Sequence, residues 1–345
     1  MLATKQPVLR RFWYPVMRET HLEDGPKAFT LLGEKIVLWK TPDGAIACLQ
    51  DRCCHRTAQL SLGFLEGGNI VCGYHGWTFA PDGTCVRVPQ RSEERPKGSG
   101  LGVTAYRTEK KYGYVWVALD EPLTGIPDLP EADQPGFRQV HQFYEPWKIG
   151  ALRLMENSFD SAHVAYVHRK TFGNVDRPQI TAPREVEPLP FGFESNSVSA
   201  VKVRGDQAKR FVGAGGEDSE RRTNSRWYMP FVRRSAIHYP HGLIHVLVTC
   251  ATPIDDFNSM ILQWVYRNDT EADVSTADVI AFDRAVTFED KAILESCEAD
   301  VPLAVVDGEE LHMPSDRPGL AMRKMLAELL ATHGETEQRL EKAAP

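Results

Sequence analysis

The chain runs to 345 residues, 42% of them apolar and 25% charged, with a net charge of −7. That composition excludes a disordered chain, and the length suits two domains better than one. The acidic balance argues against a nucleic-acid or anionic-membrane surface. No stretch approaches the roughly 18 consecutive apolar residues of a membrane-spanning helix. The start, MLATKQPVLRRFWYPV, has basic residues but no apolar core and no small-residue cleavage site, so a cytoplasmic protein is expected.

Residues 28–49 alternate apolar and polar around the turn TPDG, Thr41 to Gly44, and predict strand, turn, strand. Next comes RCCHRTAQLSLGFLEGGNIVCGYHGW, Arg52 to Trp77, with the spacing C-x-H-x16-C-x2-H at Cys53, His55, Cys72 and His75. Two short Cys/His pairs on separate loops can hold either one tetrahedral zinc or an iron–sulfur cluster. Gly73 and Gly76 bracket His75, and Gly63, Gly67 and Gly68 lie between the pairs. Glycine lets backbone wrap closely and aim N–H groups at sulfide, which favours the cluster. The seven cysteines, crowded toward the first quarter, make a poor disulfide framework. Cys48, Cys85, Cys250 and Cys297 are expected to be small buried hydrophobes.

A second turn, APDG at Ala80 to Gly83, and a strand, GYVWVAL at Gly113 to Leu119, complete a mainly β first part. The Pro- and acid-rich stretch from Asp120 to Gly136 reads as a linker, with a domain boundary near residue 140. Beyond it, MENSFDSAHVAYVHRKTFG, Met155 to Gly173, spaces Asn157, Asp160, His163 and His168 as N-x2-D-x2-H-x4-H. Asp160 and His163 are neighbours at i, i+3 on a helix. His163 and His168 are about 140° apart on an ideal helix, so they share a metal only if the helix ends or distorts between them. Residues 243–250 and 260–266 predict paired strands, and 272–298 and 318–332 predict helices. Ser315, Asp316 and Pro318 suit the start of the last one. Alternation puts His245, Leu247 and Thr249 on one strand face and Met260, Leu262, Trp264 and Tyr266 on another. His245, Leu247 and Trp264 are candidates to line a largely apolar pocket for a planar ligand. Asp283, Glu289 and Asp290, on 276–300, are the carboxylates that could complete a metal site with the two histidines. Asp290 shares a face with Val279, Val286, Ile293 and Leu294 and is expected to be buried.

The cluster motif, C-x-H-R followed by C-x-Y-H-G-W, resembles the signature of Rieske [2Fe–2S] domains. Cys54 and Gly73 depart from it, standing where that family usually has a small residue or proline and a proline respectively. Only Cys53 preserves C-x-H, which leaves Cys54 to packing. A Rieske signature followed by N-x2-D-x2-H-x4-H about ninety residues later resembles the Rieske non-heme iron oxygenases. The stretches RRFWYPV, YHGW and FEDKAILES are similar to the branch that demethylates or hydroxylates small molecules such as dicamba, vanillate or caffeine.

The resemblance implies an α+β chain: an all-β Rieske domain with linker over 1–140, then a helix-grip, START-like catalytic domain over 141–345 with an antiparallel sheet and long helices. It implies a [2Fe–2S] cluster on Cys53, His55, Cys72 and His75, and a mononuclear Fe(II) on His163, His168 and Asp290, with O2 as co-substrate. By resemblance, Asp160 bridges His75 of a neighbouring chain to its own His163, which requires a ring-shaped oligomer, most simply a homotrimer. Asn157 lies near the iron without ligating it. No nicotinamide or flavin motif is present, so electrons come from a separate NAD(P)H-dependent reductase or ferredoxin, docking near the cluster at Arg52 and Arg56. The function implied is monooxygenation or N-/O-demethylation of a small aromatic or heteroaromatic compound. A ring-hydroxylating dioxygenase and, outside enzymes, an electron carrier or redox sensor are the alternatives.

Overall fold

The structure is a computed structural model that describes residues 1–90, 101–178, 185–202, 219–239, 242–305 and 309–341. The chain forms two compact units, Leu9–Ile126 and a second made of Met1–Val8 with Pro127–Pro345. The division falls at Ile126 rather than near 140, and the expected linker is partly structured. Within it Glu131 is buried, and both its carboxylate oxygens accept from the Arg234 guanidinium of its own unit.

The first unit is built from short antiparallel strands. They are β1 (Tyr14–Arg18), β2 (Lys27–Leu31), β3 (Glu34–Lys40), β4 (Ile46–Gln50), β5 (Phe64–Glu66), β6 (Asn69–Val71), β7 (Thr78–Phe79), β8 (Cys85–Arg87), β9 (Arg107–Lys111) and β10 (Tyr114–Ala118). They pair as β1-β10-β9, β2-β3-β4 and β5-β6-β7-β8. The stretch 28–49 holds three strands, not two. The extra turn sits at Leu32 and Gly33, whose φ values of 51° and 77° make the tight left-handed turn that two-residue hairpins favour. Leu32 hid it, because a leucine rarely marks such a turn. Trp39, Phe79, Leu49 and Ile70 fill a core directly beneath the cysteine loops.

The second unit holds a seven-stranded antiparallel sheet in the order β11-β17-β16-β15-β14-β13-β12. The strands are β11 (Arg138–Trp147), β12 (Glu187–Leu189), β13 (Gly192–Val201), β14 (Ser219–Tyr228), β15 (Val232–His238), β16 (Ile244–Pro253) and β17 (Ser259–Arg267). Among the described residues four helices accompany it: α1 (Ala151–Phe159), α2 (Val164–Val167), α3 (Thr276–Leu294) and α4 (Arg317–Thr332). The expected strand pair is β16–β17, in register from His245 opposite Arg267 to Pro253 opposite Ser259. Helix α3 starts on Ser275, whose hydroxyl accepts from the Asp278 N–H, and it packs Val279 against Val140 and Val265 of the sheet. A long helix gripped by a curved sheet leaves a space between them, and the candidate site lies there. Among the described residues no helix is long and apolar enough to cross a membrane. Cys48, Cys85 and Cys250 are buried as expected, whereas Cys297 is exposed just past the end of α3.

Candidate metal centres and cavity

The cysteine pairs sit in two loops with the same backbone pattern. In the first, the Cys53 N–H donates to Ala58 O at 2.8 Å and Thr57 N–H to Cys53 O at 3.0 Å; in the second, Cys72 N–H donates to Trp77 O at 2.8 Å and Gly76 N–H to Cys72 O at 2.9 Å. The fifth residue of each loop, Thr57 and Gly76, is left-handed, at φ 60° and 72°. Each loop thus turns back on itself and presents a buried thiol at its base and an imidazole further out. Cys53 and Cys72 are almost fully buried and their thiols touch, while His55 and His75 lie with ring centroids 4.6 Å apart. Trp77 stacks flat on His55 at 4.6 Å and shields that ring. Cys54 packs against the underlying core.

This donor set fits a Rieske cluster. Two thiols stand together and two imidazoles stand together, one pair for each iron. Burial pushes the Cys53 thiol up to about 11, so a thiolate there needs a cation beside it. The Nδ1 of His55 is buried with no hydrogen-bond partner among the described residues.

The second centre begins where α1 stops. Its apolar face buries Leu152, Met155 and Phe159, and the chain turns extended at Asp160. The Asp160 carboxylate accepts from the N–H groups of Ala162 at 2.7 Å and His163 at 3.1 Å, shaping the turn into α2. Helix α2 is a single turn, with His163 at one end and His168 at the other. The condition for shared ligation is therefore met: the helix ends between the two histidines, and their rings lie 5.3 Å apart. Gly173 makes the return tight, since a Cβ there would stand 2.4 Å from the carbonyl oxygen of Val164.

Asp290 completes the group from α3. His163 Nε2 is 3.5 Å from Asp290 Oδ1, and His168 Nε2 is 3.6 Å from Oδ2. One donor atom from each residue lies within 4.8 Å of the other two. The far nitrogens are held by other carboxylates: His163 Nδ1 is 3.2 Å from Asp160, and His168 Nδ1 is 3.0 Å from Glu289. Each carboxylate fixes a tautomer that turns Nε2 toward Asp290. Burial pushes the Asp290 carboxyl up to about 6, although the His163 charge and an Asn157 hydrogen bond pull against it. Burial, with His163 and Arg221 nearby, holds His168 down to about 3 and so neutral. Two imidazoles and a buried carboxylate whose Oδ1 lacks a hydrogen-bond partner among the described residues suit a divalent cation. Asp283 lies elsewhere, accepting from the Gln142 amide and standing 3.2 Å from His245 Nε2. Of the face expected around Asp290, Val279 and Leu294 are buried but Ile293 is exposed, because α3 ends at Leu294.

A cavity opens from these three residues between α3 and the sheet. His245 and Leu247 line it, with Thr249, Ile261 and Gln263, but Trp264 does not. Strand alternation is the reason: Gln263 and Ile261 face the cavity from β17, so Trp264 points to the other face. The cavity is also more polar than expected. Arg221, Thr223 and Ser225 of β14 and Arg233 and Ser235 of β15 form one wall. The sequence reading missed that wall and missed Glu289 as the partner of His168. Glu289 had one signal, its place beside Asp290 in an acidic doublet; the wall had none.

Residues 12–107 match the Rieske [2Fe-2S] domain family, and residues 147–332 match the vanillate O-demethylase oxygenase C-terminal domain. The methylxanthine N1-demethylase NdmA of Pseudomonas putida is 31% identical, over 99% of this chain and 95% of its own length. The methylxanthine N3-demethylase NdmB of the same organism is 30% identical, over 95% of this chain and 91% of its own. The solved structure of Pseudomonas putida NdmA with caffeine superimposes with a TM-score of 0.81 at 28% identity, covering 96% of this chain and 94% of that one.

Proposed function

The chain belongs to the Rieske non-heme iron oxygenases, and from that premise we propose that it is the oxygenase component of a monooxygenase removing N- or O-methyl groups from a small aromatic or heteroaromatic compound. The carrying observation is the junction of His163, His168 and Asp290 in the lining of a partly polar cavity. When bound, the two iron centres supply electron storage and O2 activation. Cys53, Cys72, His55 and His75 hold the cluster. His163, His168 and Asp290 hold the mononuclear iron, and no fourth acidic or imidazole ligand crowds the group among the described residues.

Other residues orient and enclose. Asp160 and Glu289 keep the proton on the Nδ1 side of each imidazole, so that Nε2 is free to ligate. Asn157 steadies Asp290 through its amide. Phe172 stacks on His168 at 4.9 Å and walls that side from water. A hydroxylated methyl carbon on nitrogen or oxygen is a hemiaminal or hemiacetal, which releases formaldehyde without further help. Because the Asp160 side chain stays 28% exposed beside His163, it suits a contact with His75 of another copy, and we assign the protein to a homotrimer. A separate reductase supplies the electrons.

The test uses purified holoprotein, a bacterial ferredoxin reductase system and a panel of N- and O-methylated aromatics. Formaldehyde formed in step with O2 uptake, on protein carrying about three irons and about two sulfides per chain, is expected. A cis-diol product, or protein with the cluster alone, overturns the demethylase reading.

A further inference from the structure

Four charged side chains form a closed ring against α1, and the reaction described so far makes no use of them. Arg323 of α4 is almost fully buried. It donates through Nε and Nη2 to the two carboxylate oxygens of Glu156 on α1, the second bond at 3.1 Å, and its Nη1 stands 2.6 Å from Glu310 Oε2. Arg153, one turn before Glu156, closes the ring by donating to Glu156 Oε2 at 3.3 Å and to Glu310 Oε1 at 2.6 Å. Burial alone would raise the Glu310 carboxyl, but the two guanidiniums hold it below its ordinary value, so the ring stays ionised.

Such a ring adds little net stability. Taking charges out of water costs about as much as their attraction recovers, and well-packed apolar residues of similar size do as well or better. What forked, charge-assisted hydrogen bonds do impose is direction. Here they direct the last turn of α1. Helix α4 comes close to that turn: a Cβ on Gly319 would stand 3.4 Å from Glu156 Cγ, and Arg323 lies one turn farther along the same face of α4.

The turn so held carries two groups of the iron site. The Asp160 N–H donates to the Glu156 carbonyl at 3.0 Å. The Asp160 carboxylate orients His163, and the Asn157 side chain bonds Asp290. Glu156 therefore holds Arg323 with its side chain and Asp160 with its backbone. The four ring residues line one groove together with Asp160 and His163.

We propose that Arg323 is a positioning residue for the mononuclear centre: its grip on Glu156 sets the rotation of the last turn of α1, and with it where Asn157 meets Asp290 and where Asp160 meets His163. This rests on the iron site assigned above and is independent of the substrate class.

The test separates position from stability. In the double variant Glu156→Met with Arg323→Met both partners leave together, and Arg153 and Glu310 remain paired with each other. It is expected to unfold close to the parent temperature. It is also expected to bind Fe(II) about tenfold more weakly in a chelator competition, the lower end of the loss when a group that orients a metal ligand is removed. The paramagnetic resonance of its nitric oxide adduct, recorded with the cluster oxidised, is expected to change shape, because that signal reports the geometry of the ligands. Arg323→Lys keeps the charge without the fork and is expected to fall between parent and double variant in both readouts. Arg234→Met breaks a buried ion pair of the same unit whose partners are Glu131 and Asn224, and is expected to lose stability while keeping the parent's iron affinity and signal. Parental affinity and signal in the double variant overturn the proposal, as does an equal loss of both in Arg234→Met. If the double variant does not fold, Arg323→Lys decides: parental affinity and signal there overturn the proposal as well. A parent protein that gives no nitric oxide signal sinks the iron site itself, which keeps that failure distinct.

Discussion

The cysteine loops and the cavity are assembled in opposite ways. The loops draw Cys53, His55, Cys72 and His75 from one short stretch, and each loop closes through backbone hydrogen bonds within six residues. The cavity collects residues from α2, α3 and five strands, with Asp290 far along the chain from His163. A site made by local turns carries its geometry in residue spacing. A site made by packing carries it in the register of distant elements, which spacing does not encode.

Perturbing the distant member should therefore damage only one centre. Asp290→Ala is expected to abolish turnover and empty the mononuclear site while the cluster absorption persists; iron retained at the level of the parent protein would remove Asp290 from the ligand set. Asp160→Asn keeps the size and loses the charge that orients His163. Both centres should stay loaded while coupled product formation falls close to background, and full activity would end its proposed role. Glu289→Gln tests the same logic on His168. Loss of such an orienting carboxylate should weaken iron binding about 10- to 100-fold in a competition titration, with no change in the cluster.

Smaller effects probe the scaffold. Gly173→Ala forces a Cβ against the Val164 carbonyl and should cost about 1–3 kcal/mol, with lower iron occupancy, in thermal unfolding followed by metal analysis. Asp269 ties Arg138 of β11 to Arg267 of β17. Burial alone would raise its carboxyl, but the two guanidiniums hold it below the ordinary value. A depressed carboxylate contributes stability above its unfolded value near 4, and that contribution fades as pH falls through the folded one. Asp269→Asn should flatten the fall in stability below about pH 4, measured by urea unfolding at a series of pH values.

Much of the molecule was legible before any fold was built. The Cys53–His55 and Cys72–His75 spacings, the β16–β17 hairpin and the two long helices follow from local pattern, because turns, caps and periodicity act over a few residues. The polar cavity wall was hidden for a physical reason. β14, SERRTNSRWY, lacks apolar alternation because its inward positions, Arg221, Thr223 and Ser225, face the cavity instead of a core.

The sequence by itself determined the donor chemistry: two thiols, four imidazoles and an acidic helix, each in a workable local frame. Only the tertiary structure decided which carboxylate meets the histidines, which carboxylate holds His168, which face of β17 sees the cavity, and that Arg221 lines it. Those choices depend on how a helix and a sheet distant in sequence rest on each other, and that contact is set by burial summed over the whole unit.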